Sequence, residues 1–151
     1  MPVSGDQLIV AALLEDLDGE LKWAQGRALH SIFIGGGTPS LLSVEAMHAL
    51  LDGVRARIVL MENCEITMEA NPGTVEADKF AGFKQAGINR ISIGVQSFQQ
   101  EKLTRLGRIH GPEEARKAAA LAHAIALPTF NLDLMHGLPD QSLDDALYDL
   151  Q

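Results

Sequence analysis

Four short strand-like runs, each followed by a stretch with helical spacing, leave this chain few folds to choose from. The runs are Ser31–Ile34, Glu65–Ala70, Arg90–Val95 and Phe130–Met135. When a helix separates each strand from the next, the chain must return across the sheet before it pairs again. Neighbouring strands therefore run parallel, through right-handed crossovers. Ahead of the first run, Val10, Leu13, Leu14, Leu17, Leu21 and Ala24 fall at helical intervals, with Ser4 or Asp6 as N-cap. Ser43 caps a second helix with an inner stripe of Met47, Leu50, Leu51, Val54 and Ile58. Asn71-Pro72-Gly73-Thr74 turns the chain into a helix from Val75 to Ala86, and a short helix from Gln99 to Leu106 stops at Gly107. Pro112 opens a longer one reaching Ala126. Ser142 with Asp145 three residues on forms a capping box for the last. The loops are short, so residues 1–151 read as one α/β domain. A closed eight-stranded barrel takes about 250 residues, and four strands make half of one.

Side chains alternate along a strand, so each run has two distinct faces. Ile66 and Met68 oppose Thr67 and Glu69; Ile91, Ile93 and Val95 oppose Ser92, Gly94 and Gln96; Phe130, Leu132 and Leu134 oppose Asn131 and Asp133. The apolar faces belong under the helices. The polar faces then line the concave side, where a packed barrel would carry layers of Val, Ile and Leu. Burying Glu69 and Asp133 there without partners would cost several kcal/mol. Either they pair with donors such as Arg108, or the space holds water and a polar ligand, the reading preferred here. The alternative is a doubly wound sheet, with helices on both faces and these groups at solvated strand ends.

The first strand ends in Gly35-Gly36-Gly37-Thr38-Pro39. Three residues without Cβ let a ligand approach the backbone and use its N–H and C=O groups. The turn is neither G-x-G-x-x-G nor a Walker A loop, and its weight comes from its place at a strand C-terminal end. Gln96, taken alone, reads as a satisfied amide in a turn, and Arg108 as either a solvated cation or a helix-end charge. His110 and His136 read as solvated loop residues. With one cysteine in the chain, their spacing matches no zinc pattern. Ser40, Ser43, Ser97 and Ser142 lack the nucleophile-elbow context, so covalent catalysis finds no support.

Composition narrows the partners. The net charge is −8 and aromatics are 5% of residues, so there is neither a basic stripe for phosphates nor a platform for stacking bases. The single cysteine, Cys64, cannot form an internal disulfide and fits a reducing compartment. Met1 to Gln7 has no basic region leading into an apolar stretch, and no apolar run approaches a membrane span. A soluble, cytoplasmic protein is expected.

The segments Phe33-Ile34-Gly35-Gly36-Gly37-Thr38-Pro39-Ser40, Met68-Glu69-Ala70-Asn71-Pro72, Asn89 through Phe98, and Asn131 through Pro139 together resemble the radical S-adenosylmethionine family. Within it they are most similar to the oxygen-independent coproporphyrinogen III oxidases and their heme-chaperone relatives. The likeness runs in order along nearly the whole chain. Arg108-Ile109-His110 and Met135-His136-Gly137 lean towards the heme-chaperone branch. The resemblance implies a partial (β/α)6 barrel, truncated at both ends, with this chain supplying the first helix, the second to fifth strands and the start of the following helix. It implies that Gly36 and Glu69 contact cluster-bound S-adenosylmethionine. Gly37, Thr38, Gln96, Arg108 and Asp133 match contacts to a second such molecule in the oxidases. In the family a [4Fe–4S] cluster reduces the sulfonium and releases a 5′-deoxyadenosyl radical, which in the oxidases starts decarboxylation of propionates.

The chain also departs from the family. The cluster cysteines, C-x3-C-x2-C, are absent, and Cys64 stands without a cysteine partner. Thiolates hold such clusters, so these residues alone are expected to hold no metal and to act as no catalyst. The heme-binding His-Asn-x-x-Tyr-Trp motif of the chaperones is also missing. The expectation is a fragment of a heme-pathway protein that binds S-adenosylmethionine weakly, whose parent takes porphyrinogen as an oxidase or carries heme as a chaperone. An inactive cofactor-binding fragment is the third possibility.

Overall fold

The structure, a computed structural model, describes residues 4–151. Residues 1–3, part of the N-terminal stretch read above as no leader, lie outside the described residues. The elements follow the order α1 (Gly5–Ala24), β1 (Leu29–Ile34), α2 (Val44–Arg55), β2 (Leu60–Ala70), α3 (Ala77–Ala86), β3 (Arg90–Gln96), α4 (Gln100–Arg105), α5 (Pro112–Ala124), β4 (Thr129–Leu134) and α6 (Leu143–Tyr148). Two 3₁₀ turns, Pro39–Leu41 and Pro72–Thr74, follow β1 and β2.

Local signals set the helix starts. Ser4 and Gln7 form a reciprocal capping box, so Ser4 is the cap of α1, while Asp6 accepts the Ser43 N–H at 2.8 Å and tethers α1 to the start of α2. That hydrogen bond holds the Asp6 carboxyl below its ordinary range. Ser43 caps α2, and the Ser142–Asp145 capping box opens α6 as its spacing requires.

The four strands form one parallel sheet in the order β1-β2-β3-β4. Glu69 lies level with Ser92, and Ser92 with Asn131, so like faces of adjacent strands stay aligned. Asn89, just before β3, helps fix this register. Its side-chain oxygen accepts the Ile66 N–H at 2.7 Å and its amide donates to the Cys64 carbonyl at 2.9 Å. The side chain thus adds a rung to the ladder below the first true β2–β3 pair.

Ile66, Met68, Ile91, Ile93 and Val95 pack with Met47 and Leu51 of α2, Phe80 and Phe83 of α3, and Ala115, Ala118 and Ala122 of α5. Phe80 and Phe83 are fully buried, and each contributes about 1.5–3 kcal/mol on leaving water. The sheet helices thus cover the apolar face, against the doubly wound alternative. Two expectations need correction. Leu13, expected on the inner stripe of α1, is 47% exposed; α1 packs on α2 through Val10 and Leu14, and a single neighbour needs only a narrow stripe. β2 begins at Leu60 rather than Glu65, because pairing with β1 resumes beyond an irregularity between Leu29 and Ser31.

Candidate functional site

The polar face of the sheet is held together by side chains. Thr67 donates to Glu65 at 2.8 Å and receives a long bond from Arg90 at 3.5 Å. Arg90 also reaches the Asn131 side-chain oxygen. The Asn131 amide donates to the Ser92 hydroxyl at 3.1 Å and to Asp133, and Ser92 donates to Asp133 at 2.5 Å. Arg90 is absent from the site residues expected from the sequence, and its signal is parity along the strand, which places it with Ser92 and Gln96.

Above this floor, at the strand C-terminal ends, lies a cavity of about 250 Å³ lined by Gly37, Thr38, Glu69, Asn71, Ser92, Gly94, Gln96, Arg108 and Asp133, with Pro39 and Ala70. Six of the seven residues singled out from the sequence are among them. The seventh, Gly36, sits beside it and donates its N–H to the Glu69 carboxylate at 3.4 Å.

The glycine turn divides its labour. Gly36 and Gly37 adopt φ of +80° and +54°, a region that side chains enter at a cost. Gly35 is needed for space instead, since a Cβ there would lie 2.8 Å from the Phe33 ring and 3.1 Å from the Glu69 carboxylate. Beyond the turn, the buried Ser40 hydroxyl meets Thr74 at 2.6 Å, and Thr74 donates to the Asn71 carbonyl. Ser40 therefore ties the loop after β1 to the loop after β2, a structural part consistent with its lack of nucleophile context.

Of the two possibilities left open for Asp133, pairing with Arg108 is not found: Ser92 and Asn131 are its partners, and Arg108 forms no ion pair among the described residues and lines the cavity. Two sequence readings change here. Gln96 is no satisfied amide: its side-chain oxygen is buried without a hydrogen-bond partner, and its backbone has φ +68°. His110 is not solvated either. It is 7% exposed and its Nε2 donates to the Val95 carbonyl at 3.2 Å, which fixes that ring nitrogen as the protonated one. His136 remains exposed, as expected.

The arrangement offers a ligand a cation at Arg108, carboxylates at Glu69 and Asp133, and a buried acceptor at Gln96. Such a set matches a polar molecule with its own carboxylate, hydroxyls and amines. Among the described residues no cluster of three or more His, Cys, Asp or Glu could hold a metal ion, and no helix is long and apolar enough to cross a membrane.

The model of the radical SAM superfamily matches residues 8–150. The chain is 68% identical over 142 residues to the heme chaperone HemW of Escherichia coli, covering 94% of this chain and 38% of that protein. It is 54% identical over 150 residues to the heme chaperone HemW of Haemophilus influenzae, covering 97% and 39%. Among solved structures, coproporphyrinogen III oxidase (HemN) from Escherichia coli, a radical SAM enzyme, superposes with a TM-score of 0.79 at 28% identity, over 99% of this chain and 35% of that one. The chain thus spans a little over a third of the length of these relatives.

Proposed function

The chain belongs to the radical SAM superfamily, and on that premise we propose that its strand-end cavity binds S-adenosylmethionine within a heme-handling protein of the heme-chaperone kind. The observation that carries this reading is the unpaired Gln96 oxygen, buried in a cavity that also holds an unpaired guanidinium and two carboxylates. A buried acceptor without a donor costs about 1–3 kcal/mol, and a ligand that supplies the donor recovers it.

S-adenosylmethionine carries the complementary groups. Its methionyl carboxylate suits Arg108, its ammonium and ribose hydroxyls suit Glu69 and Asp133, and an amine suits Gln96. Gly36 steadies Glu69 through its N–H, and Gly37 and Thr38 leave the backbone open to the ligand. Bound beside a reduced iron–sulfur cluster, S-adenosylmethionine supplies a 5′-deoxyadenosyl radical. The residues present do not fit that cluster. Cys64 lies on the core face of β2, buried away from the cavity, and burial pushes its thiol up, away from the thiolate a cluster requires.

For the whole protein, the carrier reading is favoured over the oxidase. The relatives at 68% and 54% identity are named heme chaperones, while the oxidase lies at 28%. Calorimetry on the 151-residue chain tests the site: weak binding of S-adenosylmethionine is expected, lost in Glu69→Ala and Arg108→Ala. Binding that is tight and indifferent to Glu69→Ala would contradict the assignment. Anaerobic incubation of the whole protein with coproporphyrinogen III tests the activity. A heme Soret band without protoporphyrinogen IX supports the carrier, and turnover refutes it.

A further inference from the structure

Gln96 occupies an unusual piece of backbone. The Ser97 N–H donates to the Val95 carbonyl at 2.9 Å, closing a three-residue turn around Gln96 at φ +68°. This is the rare γ-turn of positive φ, which a residue bearing a side chain adopts only when its surroundings compel it. The compulsion comes from both sides. On the strand side, His110 Nε2 holds the Val95 carbonyl at 3.2 Å and the Met135 N–H holds the Gln96 carbonyl at 2.8 Å. On the far side stands Asp149, the C-cap of α6 and 5% exposed. Its Oδ2 accepts the Ser97 hydroxyl at 2.6 Å and its Oδ1 accepts the Phe98 N–H at 2.8 Å, while the Ser97 Oγ in turn accepts the Gln99 N–H at 3.0 Å. The three residues that follow Gln96 are thus all fixed through one carboxylate.

Asp149 has no cationic partner among the described residues. A buried carboxylate satisfied by neutral donors alone is a poor means of stabilising a fold, since apolar packing does better. We propose that Asp149 is a positioning residue: it locks the turn at Gln96 and so presents the Gln96 amide oxygen, unpaired, to an amine of the ligand. The inference rests on the binding reading above for its ligand, and on the backbone alone for its geometry. It also gives α6 a part in the cavity although none of its residues lines it.

Two readouts on the full chain test it. The first needs no ligand: a strong intraresidue HN–Hα NOE at Gln96 reports positive φ. It is expected in the parent chain, lost in Asp149→Asn and weakened in Ser97→Ala, with circular dichroism showing that the sheet persists. The second is S-adenosylmethionine affinity by calorimetry. Asp149→Asn is expected to lose roughly tenfold, Ser97→Ala a few-fold, and Asp149→Asn in a Gln96→Ala background nothing further, because the effect runs through Gln96. An Asp149→Asn protein that keeps the NOE and the affinity overturns the proposal, as does an equal loss in the Gln96→Ala background. Should Asp149→Asn fail to fold, Ser97→Ala decides by the same criteria. If the parent chain binds no S-adenosylmethionine, the functional reading fails, and the NOE still decides the role of Asp149.

Discussion

Replacing Asn89 by alanine removes the two side-chain bonds that extend the β2–β3 ladder. The Ile66 N–H and the Cys64 carbonyl, on residues 4% and 6% exposed, both lose their partner. A buried backbone group left unsatisfied costs about 1–3 kcal/mol. Asn89 is itself only half-buried, so water entering the vacated volume recovers part of this, and about 2–4 kcal/mol remains. For a domain of this size each kcal/mol lowers the melting temperature by about 2–4 °C, which puts the fall at roughly 4–16 °C. Urea unfolding followed by circular dichroism measures the free energy directly, and an unchanged m-value keeps the comparison within two states. Asn89→Asp separates the two bonds, since it retains the acceptor for Ile66 but sets an oxygen against the Cys64 carbonyl. A loss below about 0.5 kcal/mol in Asn89→Ala, the range of ordinary surface substitutions, would refute the view that this side chain serves as a rung of the sheet.

Other outcomes follow from single groups. Asp145 is held down to about 2 by the Ser142 N–H and, next, by the Lys102 ammonium. Its folded value lies below the ordinary 3.8, so its stabilising effect is complete above about pH 4 and is lost as pH falls towards 2; Asp145→Asn should flatten the melting-temperature profile in that window alone. Gly35→Ala drives a Cβ against the Phe33 ring and the Glu69 carboxylate. It should weaken S-adenosylmethionine binding more than it lowers stability, as calorimetry and thermal melts on one sample would tell. Ser40→Ala removes the buried hydroxyl between the first two loops and should cost about 1 kcal/mol in urea unfolding.

The architecture was legible because strand and helix periods differ and the chain keeps both. The alternation of Ile91, Ile93 and Val95 with Ser92, Gly94 and Gln96 reports which face meets helices, and the core confirms it. Six of the named residues gather around one cavity: five end or closely follow a strand, and Arg108 joins them from the loop after α4. What stayed hidden depends on three-dimensional partners. Nothing local in Asn131 or Ser92 announces that they, rather than Arg108, would serve Asp133. Gln96 looked like an ordinary amide because its left-handed backbone is imposed from afar, by His110, Met135 and Asp149. The same holds for His110: a histidine three residues past a helix-stopping glycine gives no local sign of folding back beneath a strand end.

The linked side chains on the concave floor belong to the sheet alone. Arg90, Asn131, Ser92 and Asp133 bond between neighbouring strands of one sheet, and none of those bonds crosses the concavity. The floor is therefore complete as soon as the sheet is, whatever stands opposite. A ligand arriving there finds its acceptors already oriented and does not spend binding energy ordering them. Selectivity at such a floor follows from a surface the sheet has already set.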